Sequence, residues 1–122
     1  MRQLIGQADA ATWIVEQNGQ MCGFGLVEWG REDGDVLAYV QTLEVLPEFR
    51  GQGLGAELLR LLEGSACAVD ARMIWLHVDA ENGSAIRVYE RDGYLPQGRE
   101  EDYYGRGRTA LIYAKTLTPQ GR

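Results

Sequence analysis

The chain of 122 residues is poor in several residue types: two cysteines, three prolines, one histidine (His77) and one lysine (Lys115). Cys22 and Cys67 are too few for a disulfide framework in a domain of this size and fit no metal-ligand spacing, so both are read as reduced core thiols. No stretch reaches the roughly 18 apolar residues that span a bilayer, and Met1–Asp9 lacks the apolar core of a secretion signal. A soluble, cytoplasmic protein without a membrane partner is therefore expected. Positive charge is also short. Twelve basic residues face 18 acidic ones, and the net charge of −6 disfavours nucleic acid as the main partner, without forbidding a local basic site. No segment repeats at a fixed period and no low-complexity run interrupts the chain. What is present, 45% hydrophobic and 25% charged residues, is a globular composition that excludes intrinsic disorder and suits one domain over residues 1–122.

Hydropathy patterning divides the chain. Thr12–Gln17 and Met21–Trp29 are rich in β-branched and aromatic residues, and Asn18-Gly19 between them is a strong hairpin signal. A polar turn at Gly30–Gly34 leads into a third extended run, Val36–Val45, closed by Pro47. From Gln52 to Val69 the period becomes helical, with Leu54, Leu58, Leu61, Leu62 and Cys67 on one stripe widened by Leu59 and Ala66. Met73–Val78 follows as a nearly continuous apolar strand. This strand, helix, strand order predicts a parallel pair joined by a right-handed crossover, inside an otherwise antiparallel sheet. Ser84 is the expected N-cap of a short helix carrying Ala85, Ile86, Val88 and Tyr89, ended by Gly93, with a last extended stretch holding Tyr94 and Thr109–Tyr113. The fold class is α+β, a mixed central sheet with flanking helices.

Chemistry concentrates at Arg50-Gly51-Gln52-Gly53-Leu54-Gly55-Ala56, between the third strand and the long helix. The first N–H groups of a helix lack intrahelical partners and attract phosphate. Three glycines keep side chains away from those donors, and Arg50 adds a guanidinium able to grip phosphate oxygens. A diphosphate-bearing ligand fits. Gly51-x-Gly53-x-x-Ala56 also satisfies the dinucleotide fingerprint, with Asp70 as the distal acid, but that fingerprint opens a parallel sheet and here an antiparallel hairpin precedes it. A tight strand-to-helix connection alone explains one glycine, not three beside an arginine.

Leu43 to Gly55 resembles the cofactor motif of the GNAT superfamily of acetyl-CoA-dependent N-acetyltransferases, Arg/Gln-x-x-Gly-x-Gly/Ala, with Arg50, Gly53 and Gly55 at its fixed positions. Ile74 to Tyr94 is similar to a second block of the family: a strand, an Asn-x-x-Ala-Ile helix start at Asn82, and a Tyr-x-x-x-Gly-Phe/Tyr ending at Tyr89, Gly93 and Tyr94. The closest motif likeness is to peptide amino-terminal acetyltransferases. The resemblance implies acetyl transfer from acetyl-CoA to a primary amine, on a small molecule or a peptide amino terminus, by direct attack in a ternary complex. An acyl-CoA-binding or regulatory protein without turnover is the alternative.

Residue by residue, it implies that Leu43 and Val45 offer main-chain bonds to the pantetheine arm. Arg50, Gly51, Gln52, Gly53, Leu54, Gly55 and Ala56 hold the pyrophosphate, and Asn82 and Tyr89 lie beside the arm. Tyr89 acts as general acid to the leaving thiolate, and His77 as the base that takes the amine proton, with Tyr39 as its partner through a water. Tyr103 and Tyr104 line the acceptor groove, and Glu44 is a competing base or an acceptor contact. No metal is implied. The family's amino-terminal strand and two helices are shortened or missing here, since about 11 residues precede Thr12. A homodimer covering the region left bare is therefore expected.

Overall fold

The computed structural model describes residues 2–7 and 9–117, with side chains from residue 9 onward; residues 1, 8 and 118–122 lie outside the described set. In chain order the elements are β1 (Arg2–Gln7), β2 (Ala10–Gln17), β3 (Gln20–Glu32), β4 (Asp35–Val45), a single 3-10 turn at Pro47–Phe49, α1 (Leu54–Ala68), β5 (Met73–Asp79), α2 (Gly83–Arg91), β6 (Leu95–Glu100) and β7 (Ala110–Thr116). One seven-stranded sheet has the order β1-β2-β3-β4-β5-β7-β6. Among the described strands only β4 and β5 run parallel.

The expected hairpin is present, and its turn carries φ of 52° at Asn18 and 77° at Gly19, the paired positive values that a tight two-residue connection needs. The parallel pair, the long helix and the short helix also match the patterning. Three features differ from it. Asn82, not Ser84, caps α2, its side-chain oxygen accepting from the Ala85 amide at 3.3 Å. The polar segment Leu95–Glu100 forms an edge strand that hydropathy gave no reason to expect, because every one of its residues is exposed. At the amino-terminal side the strand is kept and the helices are not: Gln7 pairs directly with Ala10.

One face of the sheet carries the core. Ala38, Val40, Ile74, Leu76 and Val78 alternate along β4 and β5 toward Leu59, Leu62 and Ala66 of α1 and toward Tyr89 of α2. A smaller cluster of Val15, Cys22, Leu54 and Leu58 closes the end where α1 begins. Gly23 and Gly25 let α1 lie close. A methyl on Gly23 would stand 2.7 Å from the Glu44 carbonyl oxygen and 3.1 Å from Leu58, and one on Gly25 would stand 3.0 Å from Leu62.

Besides an extra residue at Cys22 in β3, two bulges bend the sheet. Leu26 pairs with Thr42 but Val27 with Val40, so Gln41 is an extra residue in β4. Pro96 pairs with Tyr113 but Gly98 with Ile112, so Gln97 is extra in β6. Each insertion swaps the faces of the residues that follow it.

At the far side of the core, Tyr94 donates to Glu63 at 2.8 Å, and Lys115 bridges Glu63 and Asp92 at 3.3 and 3.1 Å. Burial, then a hydrogen bond with Asp92, pushes the Glu63 carboxyl up to about 7. Asp92 stays below the usual carboxylate range: burial opposes this, but the bonds from Glu63 and Lys115 outweigh it.

Two outcomes are expected. Gly23→Ala forces the β4 backbone aside and costs on the order of 1–3 kcal/mol, read by denaturant unfolding. For Glu63, the folded state binds more protons than the unfolded state between its ordinary value and about 7, so its contribution to stability falls as pH rises through that window. Glu63→Gln should remove that decline from the wild-type profile of unfolding free energy against pH.

Candidate active site

The Gln41 bulge sits where β4 leaves β5. The parallel ladder runs through Leu37–Met73, Ala38–Ile74, Tyr39–Trp75 and Val40–Leu76, and stops there. Beyond it β4 continues only against β3, through Thr42, Leu43, Glu44 and Val45, and β5 only against β7, through His77, Val78 and Asp79. A gap opens between two strands whose facing backbone groups have lost their ladder partners. The bulge also turns Leu43 and Val45 onto the α1 face, where both pack half-buried against the core, and leaves Glu44 exposed on the other.

At the mouth of this gap the glycine turn has the backbone expected of a phosphate cradle. Gly51 and Gly53 have φ of 82° and 80°, and a methyl on either would meet nothing within 4 Å, so conformation and open space, not packing, select glycine there. Gly53 is the left-handed N-cap of α1 and supplies no side chain. The first helical bond is Glu57 N–H to the Gly53 carbonyl at 3.1 Å, so the amides of Leu54, Gly55 and Ala56 open the helix ahead of that ladder. The Leu54 side chain is buried, so its main-chain amide is the group it presents at the turn, and Gln52 is exposed. Arg50 turns back so that its Nε donates to the Val45 carbonyl at 3.0 Å, tying the turn to the end of β4. Asn82 lies at the end of β5 with its oxygen engaged in capping α2, accepting from Ala85 and from the Ser84 hydroxyl.

On the helix-free face, the structure brings His77, Tyr39 and Tyr103 together. Tyr39 Oη and His77 Nδ1 are 2.8 Å apart, and Tyr103 stacks on the imidazole with ring centroids 4.1 Å apart and planes 10° from parallel. Tyr103 Oη is 3.5 Å from Tyr39 Oη, and Trp75 packs on both Tyr39 and His77. The His77 side chain is only 8% exposed. A shallow groove of about 300 Å³ continues from Tyr39 and Trp75 toward Leu37, Glu28 and Glu32. The loop carrying the tyrosine pair is braced by Asp102, which accepts from the Gly107 amide at 2.6 Å, and by an Arg108–Asp79 ion pair. That carboxylate sits below its usual range because the Glu81 amide and Arg108 both donate to it.

Burial first, then the Tyr103 hydrogen bond and the nearby negative charges, holds the Tyr39 hydroxyl well above the ordinary tyrosine value. Tyr39 therefore stays neutral and can pass a proton but not act as a standing tyrosinate. Tyr89 reaches the same region from α2: burial, then Tyr104 and Glu44, push its hydroxyl up to about 12. It carries its proton throughout the physiological range. Its ring is core, as its 7% exposure shows. One polar partner escaped the sequence reading. Glu100, at the end of the unexpected β6, stands 2.7 Å from His77 Nε2.

Known proteins resemble this chain in sequence and in fold. A family model described as the acetyltransferase (GNAT) family matches residues 1–94. A Bacillus subtilis protein with the provisional name ribosomal protein bS18-alanine N-acetyltransferase is 30% identical over 116 residues, covering 94% of this chain and 74% of that one. The Escherichia coli ribosomal-protein-S18-alanine N-acetyltransferase structure superposes with a TM-score of 0.78 at 26% identity, over 96% of this chain and 76% of that chain. The Arabidopsis thaliana NAA60 structure in complex with acetyl-CoA gives a TM-score of 0.79 at 21% identity, over 91% and 78%. This chain spans 74%, 36% and 43% of the first three curated relatives it matches. With antiparallel strands β1–β4 ahead of the glycine turn, the dinucleotide-binding reading is set aside.

Replacing Gly53 by Ala places a methyl-bearing residue at a left-handed cap and should cost about 1–2 kcal/mol of stability, read by thermal or denaturant unfolding.

Proposed function

Because this chain belongs to the acetyltransferase (GNAT) family, we propose that it moves an acetyl group from acetyl-CoA to a primary amine by direct attack, with both substrates bound at once. The observation that carries the reading is the end of the β4–β5 ladder at Val40–Leu76, past which β4 runs on toward the glycine turn and β5 continues through His77. The turn suits acetyl-CoA: open positive-φ glycines, unpaired helix-start amides and Arg50 meet the needs of a diphosphate, while the β4 edge at Leu43 and Val45, beyond the β5 ladder and with the Val45 carbonyl held by Arg50, suits an extended arm that pairs like an added strand.

Acetyl-CoA supplies a thioester whose C–S bond breaks as the amine nitrogen bonds to the carbonyl carbon. The chain supplies the two proton movements. His77, linked to Tyr39, takes the proton that the amine loses, and Tyr89 gives its hydroxyl proton to the departing thiolate. A tyrosine held at about 12 keeps that proton until a strong base forms beside it. Trp75, Tyr103 and Tyr104 wall the acceptor side, and Glu44 faces it as a contact for a cationic substrate.

The acceptor is an amine-bearing small molecule or a peptide amino terminus. The likeness to alanine N-acetyltransferases of a ribosomal protein supports the peptide, and the helix-free face gives an extended segment room to lie along the sheet. Cytoplasmic residence and a homodimer complete the reading. None of the described helices is long and apolar enough to cross a membrane. The homodimer rests on the helix-free face, and sedimentation showing a monomer would remove it.

Acetyl-CoA at about 100 times its Kd should stabilise the protein by about 2.7 kcal/mol while NAD and FAD leave it unchanged. In thiol-release assays with peptide and polyamine acceptors, Tyr89→Phe and His77→Ala should each lower kcat by about 100-fold or more, with the KM for acetyl-CoA nearly constant. Stabilisation by acetyl-CoA without transfer to any amine would instead favour a binding or regulatory protein.

A further inference from the structure

His77 touches a hydrogen-bonding group at each ring nitrogen, and the two groups differ in kind. Glu100 Oε1 lies 2.7 Å from Nε2, and Tyr39 Oη lies 2.8 Å from Nδ1. An ionised carboxylate can only accept, whereas a hydroxyl can donate or accept. A neutral imidazole between them has one arrangement that satisfies both contacts: the hydrogen on Nε2, donated to Glu100, and the lone pair on Nδ1, accepting from Tyr39.

The placement of Glu100 depends on a specific backbone feature. Glu100 pairs with Ala110 and Gly98 with Ile112, and Ile112 pairs in turn with His77, so Glu100 and His77 share the helix-free face on opposite sides of β7. Without the extra residue at Gln97, Arg99 would hold the register opposite Ala110 and Glu100 would fall beyond it. The small side chain of Ala110 lets the carboxylate reach across β7. The other charged or titratable groups nearest the imidazole are Tyr103 from the following loop, stacked on its face, and Tyr104 beside Tyr103. Neither contacts a ring nitrogen.

We propose that Glu100 is a positioning residue for the reaction, fixing His77 in the Nε2–H form so that the amine proton reaches it only through Tyr39. This rests on the acetyltransferase reading above and adds a direction to the proton path. The amine N–H bond breaks as its proton binds Tyr39 Oη, and the Tyr39 O–H bond breaks as that proton binds His77 Nδ1. The imidazolium keeps its Nε2–H on the Glu100 carboxylate, which stabilises the charge without taking the proton.

Two measurements test this on the intact chain. In ¹⁵N spectra of histidine-labelled protein, the wild type should show Nε2–H as the sole neutral tautomer. Glu100→Ala should give a mixture of tautomers, and Glu100→Asp should restore part of the preference. In acetyl transfer, Glu100→Ala should lower kcat about 10-fold or more at unchanged KM for acetyl-CoA, and should add little further loss in the His77→Ala background. A wild-type Nδ1–H tautomer, a spectrum indifferent to Glu100→Ala, or fully additive losses in the double variant would overturn the assignment. The side chain of Glu100 is 49% exposed, so its replacement leaves the core intact, and a thermal melt verifies this. The spectra do not require turnover, so loss of the tautomer preference and absence of any acetyl transfer are separate failures.

Discussion

One unmatched residue in β4 organises the molecule. Gln41 has no place in the ladder to β3, and from that point β4 no longer pairs with β5. A parallel pair closed along its whole length would leave no unpaired main chain for a ligand and would direct Glu44, not Leu43 and Val45, toward α1. The insertion therefore does two things at once: it opens the gap and decides which side chains face the core. Gly23 sits opposite this stretch, where only a hydrogen fits beneath the Glu44 carbonyl, and so helps keep β4 on its diverging course.

The two faces of the sheet divide the chemistry. On the helix-covered side, the start of α1 gathers backbone donors and Arg50 around the gap, a setting for an anionic ligand in a chain whose overall charge is −6. The opposite side gathers Tyr39, Trp75, His77 and Tyr103 into one aromatic cluster edged by carboxylates. Tyr89 belongs to both, because α2 holds its ring in the core while Tyr104 and Glu44 influence its hydroxyl. Backbone donors with a guanidinium on one side and an aromatic cluster with carboxylates on the other thus stand across one sheet.

Much of this could be seen in the sequence because it rests on local rules. Asn18-Gly19 signals a turn with two positive φ values, Leu54 to Cys67 a helix with one apolar face, and the glycines before it a backbone free to turn. The alternation of Ile74, Leu76 and Val78 placed His77 with Trp75 on the other face, as the structure has it. The pairing of His77 with Tyr39 came from the family likeness, since nothing in two strands separated by a helix announces it. What remained hidden depends on register. The bulges at Gln41 and Gln97 leave no mark in composition, and a glutamate ending an exposed polar strand looks like any solvated charge until the count of residues along β6 aims it at His77. Asn82 and Ser84 are both competent caps, and the choice between them rests on where β5 ends.

The direct pairing of Gln7 with Ala10 carries on through the sheet, because Ala10 pairs with Glu28, Glu28 with Tyr39 and Tyr39 with Trp75. The edge strand, the hairpin and the aromatic row thus share one line of pairing, and a slip of a single residue in any of these strands would carry the tyrosine away from its imidazole neighbour.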